Sequence, residues 1–298
     1  MKDCLSSRQI GIAQVLMSGV CFGFLGVFGR WAFASGVQPE ELLAHRFLLA
    51  SVLLGLFLVF QKGPSAFKVS PKLLLYCGLL GTFGYAVFAS FYFYAIKSLS
   101  ITLAVLLLYT FPFWVVLAGW IFLKERLLAR QAFVFPLAFL GLVLLIGLDF
   151  KKVGVLGVFF GVLSALTYAA YIILSRSWLQ NINSLTAVFF IQFFAGLVLF
   201  IKSFQSLERT LNVIHWAWLS IFGLALVCSV FAMVLFQSGL QKIKGWEASL
   251  LSTTEPIMGI ILAFFLFDES LHWQQAVGAA TLILSFLAIS TMENIKTS

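Results

Sequence analysis

The sequence predicts an all-α integral membrane protein with ten transmembrane helices, arranged as two inverted five-helix repeats. Of its 298 residues, 62% are hydrophobic and only 10% are charged, and the mean hydropathy is +1.06. A water-soluble domain carries about 25% charged residues, so this chain lacks the polar surface that a soluble protein needs. Ten long apolar runs and a stretch that recurs in the second half of the chain supply the other two observations.

A spanning helix needs about 20 mostly apolar residues, and ten segments meet this requirement. Their predicted bounds are 9–34, 39–60, 71–96, 99–123, 130–148, 154–176, 184–202, 213–241, 246–267 and 272–291. The polar breaks between them are too short to form a soluble domain. The first apolar run is longer than the roughly 7–15 apolar residues of a signal peptide, so we expect a first transmembrane helix there.

Loop charge predicts the orientation, because cytoplasmic loops collect Lys and Arg. With the amino terminus inside, the cytoplasmic side holds Lys2, Arg8, Lys62, Lys68, Lys72, Lys124, Arg126, Arg130, Arg176, Lys242, Lys244 and Lys296. The outer side holds Lys97, Lys151, Lys152, Lys202 and Arg209. We therefore expect both termini in the cytoplasm. The same asymmetry explains the net charge of +8 without a nucleic-acid partner.

An internal repeat emerges when the sequence is shifted by 144 residues. AIKSLSITLAVLLLYTFPFWVVLAGWIFLKERLLARQA, from Ala95, then aligns with GLQKIKGWEASLLSTTEPIMGIILAFFLFDESLHWQQA, from Gly239. The matched pairs include Thr110 with Thr254, Pro112 with Pro256, Glu125 with Glu269 and Gln131 with Gln275. A nearby offset matches Arg30 with Arg176. Each predicted half, 1–148 and 149–298, has an odd number of helices, so the second half should be inserted upside down. Inverted repeats place a central site near the bilayer midplane, which is transporter architecture.

These residues resemble the EamA-type family of the drug/metabolite transporter (DMT) superfamily. The resemblance rests on Ala95…Pro112…LKERL, on Gly239…Glu255-Pro256…FDESL, and on HRFLLA from His45. It implies a secondary transporter of the bacterial inner membrane that exports a small organic metabolite by alternating access. An amino acid or a similar solute, aromatic ones included, is the favoured substrate. A drug, nucleotide-like metabolite or polyamine permease of the same fold is the alternative.

Glu255 is the main candidate site residue, in the stretch LLSTTEPIMGIILAFFLFDES. An ionised carboxylate facing lipid at this depth costs at least ~2.5–3.5 kcal/mol, so it should face a cavity or a partner. Pro256 removes a backbone N–H and disrupts the helix one turn earlier, near Ser252. Glu255 is then a candidate ligand for a substrate ammonium, or the carrier of a coupling proton. The alternative is a group that only fixes packing beside the kink.

Polar and aromatic residues inside other spans predict the rest of a substrate cavity, since a hydroxyl within the bilayer needs a partner. The candidates are Tyr85, Tyr92, Tyr109, Thr110, Trp114, Tyr168, Tyr171, Gln237, Thr253 and Thr254. A tyrosine inside a helix can equally bond a backbone carbonyl, which is the competing interpretation.

His45 and Arg46 are candidates for a gate or for coupling. The competing interpretation pairs them with Glu40 or Glu41 in a structural ion pair. Four further charged residues are predicted to anchor helix ends at the membrane interface, namely Arg30, Glu125, Arg176 and Glu269.

Other classes of function fit the sequence less well. An intramembrane aspartyl protease needs two aspartates within the membrane, but Asp3, Asp149 and Asp268 fall at ends or loops. Ser229 and Ser238 lack the sequence context of a serine protease. No repeated filter loop suggests a channel, and no Walker A sequence suggests ATP as a direct energy source. The four cysteines lack metal-ligand spacing. We therefore expect no catalytic residue, metal or cofactor, and a monomer or homodimer in the bilayer.

Overall fold

A computed structural model describes residues 6–125, 127–148, 154–203 and 215–292, with side chains described from Ala217 onward in the last range. Within these ranges the chain is built from helices, ten of which are long and apolar enough to cross a membrane. They are α1 (Ser7–Ala34), α2 (Pro39–Phe67), α3 (Pro71–Ser98), α4 (Ile101–Leu123), α5 (Ala129–Ile146), α6 (Val155–Trp178), α7 (Ser184–Ser203), α8 (Ala217–Leu240), α9 (Gly245–Phe267) and α10 (Trp273–Thr291). The ten predicted spans are confirmed, and the chain is a multi-pass membrane protein.

The most extensive helix contacts join the first five helices to the last five. Helix α2 packs on α7, α5 on α10, α3 on α6, and α1 on α8. Next in extent, α1 packs on α9 and α6 packs on α4. Exchanging α1–α5 with α6–α10 converts this set of contacts into itself. Such a pattern is expected of two similar halves that enclose a common interface.

Local backbone features also recur at the 144-residue offset found in the sequence. A π-helical segment occupies Leu80–Ala86 in α3, and another occupies Leu224–Phe231 in α8. Lys124 and Asp268, which follow α4 and α9, both adopt the left-handed conformation with φ of 54°. These recurrences support an internal repeat. The division into residues 1–148 and 149–298, with the second half inverted, stays a prediction.

The two proline-containing helices, α4 and α9, are each broken in the middle. Helix α4 consists of Ile101–Leu108 and Phe111–Leu123, and α9 consists of Gly245–Leu251 and Thr254–Phe267. In each case the proline lies in the first turn of the second segment, where its missing N–H needs no partner within the helix. The break in α9 falls at Ser252 and Thr253, which confirms the predicted disruption one turn before Pro256.

Glycines of α1 bring this helix against the break in α9. A Cβ on Gly19 would lie 2.8 Å from the Thr254 Cβ, and one on Gly23 would lie 2.5 Å from the Met258 Cβ. Both separations are too short for non-bonded carbons, so no larger residue fits without movement. Small residues serve this purpose between membrane helices. Helix α1 therefore holds the segment that carries Glu255 in place from one side.

Candidate functional site

Glu255 lies at the start of the second segment of α9, directly before Pro256. Its backbone N–H donates to the Ser252 carbonyl oxygen at 3.1 Å, which closes the turn between the two segments. The carboxylate belongs to the first turn of Thr254–Phe267. Free N–H groups and the positive end of the helix dipole favour negative charge there. The broken helix thus provides a partly stabilised place for a carboxylate within the membrane.

The predicted tyrosines and Arg46 gather around this carboxylate. Tyr109 interacts with Glu255, and its hydroxyl is the group that can donate to the carboxylate. Arg46 acts electrostatically on Glu255 as the nearby cation. Tyr85, Tyr92 and Tyr168 also interact electrostatically with Glu255. Residues from α2, α3, α4 and α6 therefore converge on one residue of α9.

Aromatic rings form a continuous wall beside these polar groups. Ring centroids are 5.4 Å apart for Tyr85 and Tyr171, 4.8 Å for Phe88 and Tyr168, and 4.7 Å for Phe111 and Tyr168. Such distances are typical of favourable aromatic pairs. Tyr171 is buried, belongs to this wall through its contact with Tyr85, and also interacts with Ser175. Its predicted part in substrate binding stays a prediction.

Arg46 is held in place by the π-helical segment of α8. Its Nε donates to the Ser229 Oγ at 2.6 Å and its Nη2 donates to the Cys228 carbonyl at 2.9 Å. Tyr85 also interacts with Arg46 through its hydroxyl. A guanidinium has five N–H donors, so two remain for other partners. The π-helical segment exposes a backbone carbonyl and a hydroxyl that fix the orientation of Arg46 next to Glu255.

The predicted ion pairs of Glu40 or Glu41 with His45 or Arg46 are wrong. Glu40 instead faces two lysines, Lys97 at 3.8 Å and Lys202 at 3.7 Å. Glu41 accepts from the Gln38 backbone N–H at 3.1 Å. Glu40 and Glu41 lie in the first turn of α2, whereas Arg46 lies more than one turn further along the helix, where it contacts α8.

His45 lies apart from the Glu255 cluster. Its Nδ1 is 2.8 Å from the Glu41 carbonyl oxygen, and its ring packs edge-on against Trp218 at 5.7 Å. These contacts place it near the start of α2, among aromatic side chains. Its predicted part in a gate or in coupling stays a prediction.

Thr110, Trp114 and Thr254 have local partners at the helix breaks. The Thr110 Oγ1 donates to the Leu107 carbonyl at 2.7 Å and accepts from the Trp114 Nε1 at 3.3 Å. The Thr254 Oγ1 donates to the Leu251 carbonyl at 2.7 Å. Both threonines thus bond to backbone carbonyls at the end of the first segment of their helix.

Two buried glutamines lie near the same interface. Gln237 is fully buried, and neither its Oε1 nor its Nε2 has a hydrogen-bond partner among the described residues. Gln192 donates from Nε2 to the Ser229 carbonyl at 2.9 Å, beside the hydroxyl that holds Arg46. Sequence reasoning missed Gln192, although a single amide in the apolar run FFIQFFAG was a signal that could have found it.

A recess of about 380 Å³ lies at the far end of α1 from Ser7. Phe28, Trp31, Ala34, Leu219 and Ser220 line it, between α1 and α8. A second, much smaller space of about 10 Å³ adjoins the two helix breaks at Tyr109 and Thr253. That volume is close to the minimum that one water molecule needs.

The chain is similar in sequence to known membrane transporters. The model of the EamA-like transporter family matches residues 9–147 and again residues 155–291. Uncharacterized transporter YcbK of Bacillus subtilis is 26% identical over 95% of this chain and 92% of its own length. An uncharacterized transporter of Archaeoglobus fulgidus is 28% identical over 70% of this chain and 73% of its own length. Uncharacterized inner membrane transporter YhbE of Escherichia coli K12 is 23% identical over 89% and 82%.

A solved structure agrees with the fold. One crystal structure superimposes with a TM-score of 0.79 at 18% identity, over 94% of this chain and 96% of its own. Identity at this level bears on the fold alone. The double match to one family model accords with the helix contacts and backbone features that recur in the two halves.

Proposed function

The chain belongs to the EamA-like transporter family and is a membrane transporter, and from this premise we propose that it exports a small zwitterionic metabolite. An amino acid or a similar solute, aromatic ones included, is the substrate class that the site fits best. The observation that carries the proposal is the opposition of the Glu255 carboxylate and the Arg46 guanidinium inside a wall of aromatic rings.

The two charges match the two ends of an amino acid. Glu255 can accept hydrogen bonds from an ammonium group, with Tyr109 holding the carboxylate in position. Arg46 keeps two N–H donors for a carboxylate, because the Ser229 hydroxyl, the Cys228 carbonyl and the Tyr85 hydroxyl engage the other three. Charge-assisted hydrogen bonds of this kind are about twice as strong as neutral ones. The surrounding rings supply apolar area for a side chain.

The same arrangement weighs against the alternative of a polyamine permease. A polyamine has several cationic groups and no carboxylate, so Arg46 would repel it at short range. A nucleotide-like solute carries multiple negative charges, and Glu255 would oppose its binding. A polyamine would bind only if the charge of Arg46 were neutralised, and a nucleotide-like solute only if the charge of Glu255 were neutralised.

The origin of the site residues supports transport by alternating access. Arg46 and Tyr109 belong to the first five helices and Glu255 belongs to the last five. A solute held between them lies between the halves, and rocking of one half against the other would expose it to each side in turn. The broken helices supply the irregular backbone that membrane proteins tolerate only around such sites.

We further propose an inner-membrane location with both termini in the cytoplasm. The Lys and Arg distribution in the loops supports this orientation, and the relative YhbE is named an inner membrane transporter. With the chain lacking a recognisable ATP-binding sequence, an ion gradient is the proposed energy source, and Glu255 is the proposed carrier of a coupling proton.

A ligand screen on the purified protein tests the proposal. A bound ligand raises the unfolding temperature by a stabilisation of RT ln(1 + [L]/Kd). Amino acids, matching amines that lack the carboxylate, matching acids that lack the amine, nucleosides and polyamines form the screen. We expect stabilisation by one or more amino acids and by neither single-charge analogue at the same concentration. Stabilisation by polyamines alone would contradict the zwitterion proposal.

A further inference from the structure

Two arginine–glutamate pairs occupy opposite ends of the bundle. At the end where α1 finishes, the Arg30 Nη1 donates to the Glu269 Oε1 at 2.7 Å, and the guanidinium stacks 4.1 Å from the Phe267 ring centroid. At the end where α1 begins, Arg176 and Glu125 interact electrostatically. Helix α1 connects the two ends, and Arg8 and Arg30 are separated by about 33 Å along it at 1.5 Å per residue.

The two pairs correspond to each other in the internal repeat. Arg30 and Arg176 lie near the carboxyl ends of α1 and α6, the first helices of the two predicted halves. Glu125 and Glu269 directly follow the left-handed residues that end α4 and α9, the fourth helices. Each pair therefore connects the first helix of one half to the end of the fourth helix of the other half.

The pairs differ in how completely they are formed. Arg30 and Glu269 are in direct contact, with side chains 55% and 54% exposed. In contrast, the Arg176 Nε and Nη1 and the Glu125 Oε2 are buried without a hydrogen-bond partner among the described residues. Burial raises the pKa of the Glu125 carboxyl, although Arg176 and Lys244 act in the opposite direction. One pair is thus made and the equivalent pair is unmade.

Neighbouring groups at the Arg8 end leave the second pair unsatisfied. Arg8 donates to the Glu247 Oε1 from Nη2 at 2.6 Å and from Nε at 2.9 Å, and the Lys244 backbone N–H donates to the other oxygen at 3.0 Å. Glu247 acts on both Arg176 and Glu125 electrostatically. The buried Trp246 Nε1, next to Glu247 in the chain, also lacks a hydrogen-bond partner within the described part of the chain. Buried polar atoms without partners are rare in native structures. A second arrangement in which these atoms form hydrogen bonds with each other would therefore be favourable.

We propose that the Arg30–Glu269 and Arg176–Glu125 pairs are the two gates of the transport pathway. Each pair closes its own end of the pathway when it forms, and the other pair is then broken. The proposal rests on the proposed function, since gates presuppose a pathway. A role in stability alone explains the exposed Arg30–Glu269 pair poorly, because exposed ion pairs contribute little to stability. A role in stability also leaves the buried atoms of Arg176 and Glu125 that lack hydrogen-bond partners without an explanation.

Cysteine accessibility tests the gates without a known substrate. Tyr92→Cys, beside Glu255, serves as the reporter in a chain whose native cysteines are replaced by serine. Right-side-out and inverted vesicles are treated with a membrane-impermeant maleimide. Protease cleavage of an amino-terminal tag shows which end of the protein faces the external solution in each vesicle preparation. Arg30→Glu should speed labelling from the Arg30 end by about tenfold, within the range typical of conformational coupling. The double variant Arg30→Glu with Glu269→Arg should return the rate to that of the parent.

Matched variants define the control and the converse. Lys68→Glu reverses the charge of an exposed residue between α2 and α3 that belongs to neither pair, so the labelling rate should stay unchanged. Glu125→Arg should speed labelling from the Arg8 end, and Arg176→Glu in the same chain should reverse this effect. Equal rates in the parent and Arg30→Glu, or no reversal by the swapped pair, would overturn the gate proposal. A reporter that no variant exposes from either end would instead overturn the proposed pathway past Glu255.

Discussion

Tyr109 and Glu255 meet where the two broken helices face each other. Tyr109 follows the first segment of α4, Glu255 begins the second segment of α9, and the Tyr109 hydroxyl interacts with the carboxylate. One residue comes from each predicted half. A movement of one half against the other would therefore change the partner of Glu255 directly, without any relay through other residues.

Tyr109→Phe tests this contact while keeping the ring. The phenyl ring can retain the packing of Tyr109, which is 7% exposed, so the free energy of unfolding should change by only about 1 kcal/mol. Binding of a solute identified in the ligand screen should weaken several-fold, because the carboxylate loses the group that orients it. Tyr76→Phe, on a ring stacked against Trp178 at 4.5 Å, is the control. Equal affinity in Tyr109→Phe and the parent would show that the hydroxyl serves packing alone.

Gly23→Ala tests the close approach of α1 to the broken helix. The added methyl would lie 2.5 Å from the Met258 Cβ and 3.2 Å from the Glu255 carbonyl oxygen. Overpacking of this kind costs about 1–3 kcal/mol, and denaturation in detergent micelles measures it. Gly26→Ala, where a Cβ has nothing within 4 Å, should be neutral or slightly stabilising. A fully stable Gly23→Ala variant would contradict the tight contact.

Labelling of introduced cysteines tests the inverted arrangement of the halves. Ala129 and Ser270 are both exposed and lie beyond the ends of α4 and α9. Ser270→Cys should react with an impermeant reagent only from the periplasmic side, and Ala129→Cys only from the cytoplasmic side. The Lys and Arg distribution motivates this expectation. Reaction of both cysteines from one side would remove the inverted repeat from the account.

Glu125 should make the stability of the protein depend on pH. Burial raises the pKa of its carboxyl above the ordinary value of 4.5, so folding favours the protonated form. The resulting stabilisation is complete at low pH and is lost as the pH rises through the raised pKa. Glu125→Gln should remove this dependence and raise the unfolding temperature at neutral pH. The measurement is a set of melting curves across pH, with Glu40→Gln as the control. Parallel curves for Glu125→Gln and the parent would contradict it.

Hydropathy, prolines and loop charge were sufficient to predict the ten spans and the break before Pro256. They also singled out Glu255 and the tyrosines that surround it, because polar groups are rare within apolar runs. The partners of Arg46 were not predictable in the same way, since Ser229 and Cys228 reach it through the packing of α2 on α8. The glycine contacts of α1 and the burial of Arg176 beside Glu125 likewise depend on which helices adjoin. The hydrophobic periodicity and composition of a single sequence give almost no indication of which helices contact each other.

The measurement that tests the central claim most directly compares Glu255→Gln with the parent in calorimetric binding. The ligands are the stabilising amino acid from the screen and the matching acid that lacks its ammonium. Glutamine keeps the shape and the hydrogen-bonding capacity of Glu255 but removes its charge. Loss of a charged hydrogen bond, worth about 1.5–3 kcal/mol, should weaken binding of the amino acid by roughly 10- to 100-fold while leaving the acid unaffected. Equal affinities of Glu255→Gln and the parent for the amino acid would contradict a substrate site at Glu255.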